Sequence, residues 1–99
     1  MKLIATPNVL EEKNKHVQKA LKFEQTSVVN IQLQTGEKIA EHDSAADVLI
    51  IVRSGKVSFE VEGQTVIVTP ENILHLEPKE KHSLIATEPS DLLVLQIKA

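Results

Sequence analysis

The chain has 99 residues, the size of one domain, and no cysteine, which removes a thiol nucleophile, a zinc knuckle and a disulfide framework. Its formal charge of −3 comes from interspersed acids and bases, and Phe23 and Phe59 are the only aromatics, so neither a basic face for a phosphate backbone nor base stacking is available. Nucleic acid is not an expected partner, and neither is a membrane: no segment approaches the roughly 20 apolar residues of a span, and "MKLIATPNVLEEKNKH" lacks a signal-type apolar run, so a soluble, cytoplasmic protein is expected.

Residues 1–15 read as an N-terminal arm and 16–99 as a barrel. Asn8 followed by Glu11 fits a helix cap with its capping-box acid, but His16 to Phe23 also reads as a strand. Val17, Leu21 and Phe23 share one parity and "EQT" makes a turn after them, so the strand is the expectation. "SVVNIQLQTG" then alternates Val29, Ile31 and Leu33 with the amides Asn30, Gln32 and Gln34 and stops at Gly36. That amide row either lines a barrel, where it binds hydroxyls of a sugar or small acid, or forms the solvent side of a half-buried strand. "DVLIIVRSGKVSFEVEGQTVIVTP" holds strands at 48–52, 57–61 and 65–68, and the short connections at Gly55 and Gly63 predict hairpin turns and a meander. "NILHLEP" and "HSLIATEPSDLLVLQIKA" supply two or three more strands, interrupted at Pro78 and Pro89. His75, between Leu74 and Leu76, faces away from them and reads as a surface or interface residue. The fold class is all-β.

This order and spacing resemble the small single-domain cupins over nearly the whole chain, and the resemblance implies an antiparallel jelly-roll β-barrel of six to eight strands. Gly36, His42 and Gly55 stand where the first cupin motif has its first glycine, first histidine and last glycine. Ser44 occupies the second histidine position and Val48 the glutamate position, with Asp47 next door but on the opposite parity. In the second motif only His82 matches; Glu71, Glu77 and Lys79 stand in place of its glycines and proline. Two of the four metal-ligand positions of the family survive.

His42 and His82 are therefore expected to meet at one end of the barrel. They serve either as two arms of a first-row metal site or as polar groups that bond to each other, to Ser44 or to water. Catalytic zinc normally keeps three protein ligands, so no cofactor is expected beyond weakly held divalent metal on His42, His82 and, if it turns inward, Asp47. The expected ligand-binding residues are His42, Ser44, His82, Gln32 and Gln34. No catalytic residue is assigned: Ser44 has no oxyanion hole evident in sequence, and the glycines at 36, 55 and 63 are too dispersed for a phosphate loop. Three functions are compatible with these residues. One is a small-molecule-binding or sensor-like barrel without a tight metal site, the leading expectation. Another is a metal-dependent enzyme using His42, His82 and Asp47, and the third is a structural or interaction barrel whose interior is filled by its own side chains. The apolar "MKLIA" segment and the resemblance together predict a homodimer.

Overall fold

The computed structural model describes residues 1–98; Ala99, the last residue of the expected barrel, lies outside the described residues. Nine antiparallel strands and no helix make up the described chain. They are β1 (Lys15–Phe23), β2 (Thr26–Leu33), β3 (Lys38–His42), β4 (Asp47–Ser54), β5 (Val57–Val61), β6 (Gln64–Val68), β7 (Ile73–Leu76), β8 (His82–Ala86) and β9 (Ser90–Ile97). One sheet has the order β1-β2-β9-β4-β7 and the other β3-β8-β5-β6. This is the expected all-β jelly-roll sandwich, and no helix is long and apolar enough to cross a membrane.

The interior is aliphatic. Ile31 and Leu33 of β2, Val48, Ile50 and Val52 of β4 and Leu92 of β9 meet Val57, Phe59 and Leu84 of the other sheet in one buried cluster. Strand alternation explains which residues enter it: the inward positions of β2 are odd-numbered and those of β4 and β9 even-numbered, as their pairing requires. Phe59 is the larger contributor of the two aromatics, with none of its surface exposed.

Two local expectations are corrected by the register. Arg53-Ser54-Gly55 is not a hairpin turn, because β4 pairs with β7 and β9 whereas β5 pairs with β6 and β8. The chain changes sheets there instead. Gly55 makes the corner possible: its φ is +93°, and a Cβ on it would collide with the Pro89 carbonyl and with Ser90. Of the two predicted hairpins, only β5–β6 around Gly63 is one.

Val17, Leu21 and Phe23 do not share a face either, since a bulge between Lys19 and Leu21 reverses the parity of β1. Val17 lies opposite the inward Ile31, and Leu21 opposite the outward Val28. The helix alternative at Asn8 shrinks to a single turn, in which Asn8 Oδ1 accepts from the Leu10 amide and the Val9 carbonyl from the Glu12 and Lys13 amides. Strand β3 gave no sequence signal, because Ile39 is its only partly buried residue.

The arm ahead of β1 lies across the outside of the five-stranded sheet, held by the amide row. Arg53 donates through Nε and Nη2 to both carboxylate oxygens of Asp91, at 3.0 and 2.8 Å. Asn30 Nδ2 donates to Asp91 Oδ1 at 2.7 Å, and Gln32 Nε2 donates to Asn30 Oδ1 at 3.0 Å and to the Pro7 carbonyl at 2.8 Å. Gln32 Oε1 accepts from the Val9 amide at 2.8 Å, Gln34 Nε2 donates to the Leu10 carbonyl, and Arg53 reaches Thr6. Charge-assisted bonds at one end and amide donor-acceptor pairs along the rest leave no buried side-chain nitrogen or oxygen without a partner among the described residues.

Candidate functional site: a histidine pair at the barrel rim

His42 closes β3 and His82 opens β8, and the antiparallel register sets the two directly opposite each other. Their side chains touch edge to face, with ring centroids 4.2 Å apart and planes at 60°. His82 is buried, at 4% exposure, while His42 is open to solvent. Each ring is fastened by its own strand: His42 Nδ1 bonds the Ala40 carbonyl and His82 Nδ1 the Glu80 carbonyl, both at 3.0 Å. A carbonyl oxygen only accepts, so Nδ1 carries the proton in each neutral ring and the lone pair is left on Nε2. Both rings thus hold the same tautomer, with Nε2 as the atom that can engage a ligand.

The other expected residues lie in different surroundings. Ser44 is half-buried in the β3–β4 loop, where its Oγ accepts from the Ala46 amide at 3.1 Å and its carbonyl from the Lys79 amide at 2.7 Å. Its hydroxyl caps a turn, and its backbone ties that loop to the β7–β8 loop. Val48, at the family's glutamate position, is a core residue opposite Leu76. Asp47 Oδ1 accepts from His75 Nε2 at 2.8 Å, with both side chains largely exposed. This bond occupies the one carboxylate next to the motif position. Gln32 and Gln34 point away from the core and bond the arm, so they and Asn30 form a latch that sequence reasoning assigned to a pocket as one of its two readings. The missing signal was the arm, which has no periodicity of its own to show that it covers the row.

The fit of the donors to a divalent metal can be judged from their chemistry. Two imidazoles supply two neutral nitrogens, Ser44 is a poor ligand while protonated, and Asp47 is engaged by His75. No group of three or more His, Asp or Glu side chains among the described residues is placed to hold a metal ion. The pair does not fit a three-ligand centre.

Cavities of about 520 and 250 Å³ open on the surface among the described residues, and neither is lined by His42 or His82. Large side chains such as Leu33, Ile50, Leu76 and Leu92 fill the barrel interior next to Phe59.

Comparison with known proteins agrees with this geometry at the level of fold. Similar solved structures include an RmlC-like cupin with a double-stranded β-helix fold from Methanocaldococcus jannaschii, at 22% identity and TM-score 0.86 over 99% of this chain and 91% of that one. A conserved protein of unknown function from Streptococcus pyogenes superposes at 16% identity and TM-score 0.83, covering 100% of this chain and 91% of that one. The cupin domain of an XRE-family transcriptional regulator from Enterobacter cloacae does so at 15% and 0.75, over 88% of this chain and 99% of that one. No curated protein matches the sequence. The family model for the cupin domain matches residues 29–98, from the inward face of β2 through the end of β9 and across both histidines, and the chain therefore belongs to the cupin domain family.

Proposed function

We propose that this cupin is a binding or sensor-like barrel without a tight metal site, which takes a small polar molecule at the rim where His42 and His82 meet. The observation that carries this reading is the state of the pair: both Nδ1 atoms are engaged by backbone carbonyls, and among the described residues no third His, Asp or Glu joins the two rings in a metal-holding group. Two imidazole nitrogens with lone pairs suit the hydroxyls of a sugar or a hydroxy acid. The likeness to the cupin domain of a transcriptional regulator supports a sensing role at the level of fold only. Assembly as a homodimer belongs to the same proposal, motivated by apolar side chains such as Leu3 and Ile73 that the single chain leaves exposed.

One observation favours a second reading. The aliphatic filling of the interior is what a structural or interaction barrel with a relic site would have. Nuclear magnetic resonance titration of the His42 and His82 ring protons with a panel of sugars and hydroxy acids separates the two. Saturable shifts at both rings, lost in His42→Ala, support rim binding. Rings that stay unmoved across the panel reject it and leave the structural barrel.

A further inference from the structure

Beyond the strip that the arm covers at Asn30 and Gln32, the outer face of the five-stranded sheet is apolar. Residues directly opposed in a ladder share a face, so the register gives its rows. Leu21, Val28, Leu95 and Leu49 form one row across β1, β2, β9 and β4, and Leu93, Ile51 and Ile73 form the next across β9, β4 and β7. Phe23 and Ile97 stand at the end of the face, on either side of Thr26. The residues that alternate with these, such as Val48, Ile50, Leu92 and Val94, are in the core, which fixes the direction of both sets. None of the outer set belongs to the core cluster or packs against it, and Ile73 is 66% and Phe23 53% exposed.

The other sheet shows what a solvated face of this chain looks like: its outward rows carry Lys38, Ser58, Glu60, Thr65 and Ser83, with Ile67 and Ile85 between them. An antiparallel strand with one wet face alternates apolar and polar residues, as "VSFEV" in β5 does. By contrast, "VLIIV" in β4 and "LLVL" in β9 are apolar on both sides, the pattern of a sheet covered on both faces.

What covers the outer face follows from its charge and its extent. Outside the arm's strip, its ionisable side chains among the described residues are Asp47 and His75, which bond each other at 2.8 Å, so the face presents no unpartnered charge to an identical one. A flat aliphatic patch is complementary to itself, which is what a two-fold interface requires. Stacked sheets interdigitate such side chains at about 10 Å. Five strands about 4.8 Å apart, over about five residues rising about 3.4 Å each, project to roughly 400 Å². A stable interface buries about 800 Å² on each partner, so the face supplies part of it and a further apolar element is needed. The arm tip is that element. Ile4 lines a cavity with Leu21 and Val28 at the β1–β2 end of the face, and Leu3 beside it is 99% exposed, with no cover from its own chain.

We infer that the partner is a second copy of this chain, packed with the outer faces of the two five-stranded sheets together about a two-fold axis and with Leu3 and Ile4 of each arm against the other copy. The inference rests on the homodimer reading above and goes beyond it by assigning the surface. The amide latch then has a second consequence: by holding Pro7 to Leu10, it presents the arm tip to the partner.

The test is light scattering of the full chain at micromolar concentration beside Ile73→Glu, Leu95→Glu, Leu3→Asp and, on the outer face of the other sheet, Ile85→Glu, with melting curves to report that each variant folds. The wild-type dimer is expected to give way to single chains in Ile73→Glu and Leu95→Glu and to persist in Ile85→Glu. Leu3→Asp is expected to raise the dissociation constant by about tenfold or more. Ile73 is exposed in the single chain, so its substitution reads assembly even where Leu95→Glu disturbs the fold. A wild-type monomer overturns both this inference and the homodimer reading. A dimer that survives both face substitutions, or that Ile85→Glu breaks, overturns the surface and leaves the homodimer reading standing. An unchanged dissociation constant in Leu3→Asp overturns the arm's share in it.

Discussion

Lys79 holds a left-handed backbone, φ 71°, at the place where the second cupin motif carries a glycine. The conformation is kept although the residue that suits it is gone, because the Lys79 amide is anchored on the Ser44 carbonyl at 2.7 Å. A side chain in this region costs about 1 kcal/mol or more, so Lys79→Gly is expected to raise the denaturant midpoint by about that amount in free energy. Gly55→Ala runs the opposite way: the added methyl meets the Pro89 carbonyl and Ser90 at a corner that needs positive φ, and a loss of about 2 kcal/mol or more is expected in the same measurement. Equal effects of the two substitutions would show that neither backbone is under the stated constraint. The meeting of His42 and His82 was legible because the motif spacing implies it, and the register realises it. The bond between Asp47 and His75 was not, since it depends on β4 lying beside β7 and on a side-chain contact 28 positions apart in sequence.

The arm and its latch show what strand patterns reveal and what they leave out. Alternation in β2 separates Ile31 and Leu33 from Asn30 and Gln32, and the structure keeps that separation. It does not say what lies on the amide side, because Pro7 to Leu10 bind through backbone groups that any sequence would offer. Nor does alternation reveal a bulge or distinguish a hairpin from a change of sheet, which is why β1 and the Gly55 corner departed from expectation. Gln32 is fully buried and serves both the Val9 amide and the Pro7 carbonyl, so Gln32→Leu strands two arm groups and Asn30 Oδ1. A stability loss of about 1–3 kcal/mol is expected, together with hydrogen exchange at the Val9 amide faster by about tenfold or more and little change at core amides of β5. Val9 exchange unchanged in that variant would mean the arm is held by other contacts.

For the whole molecule, the interior is filled by its own side chains while several large apolar residues stay exposed, which is why the proposed binding is placed at the rim and the proposed partner on an outer face. Leu3 is 99% and Ile73 66% exposed in the single chain, and a partner copy is the expected cover. Light scattering at micromolar concentration is expected to give about twice the 11.0 kDa of one chain, and the mass of one chain would contradict the homodimer. Whether His42 and His82 form a polar rim or a strong metal centre is decided by melting chelator-dialysed protein with zinc, nickel or manganese at low micromolar concentration. A ligand that binds only the folded state at a hundredfold excess over its dissociation constant adds about 2.7 kcal/mol, which in a domain of this size raises the melting temperature by about 10 °C or more. A polar rim keeps its fold after dialysis and shifts by under about 2 °C with each metal. A rise of about 10 °C with one metal, abolished by His42→Ala and by His82→Ala, would contradict it.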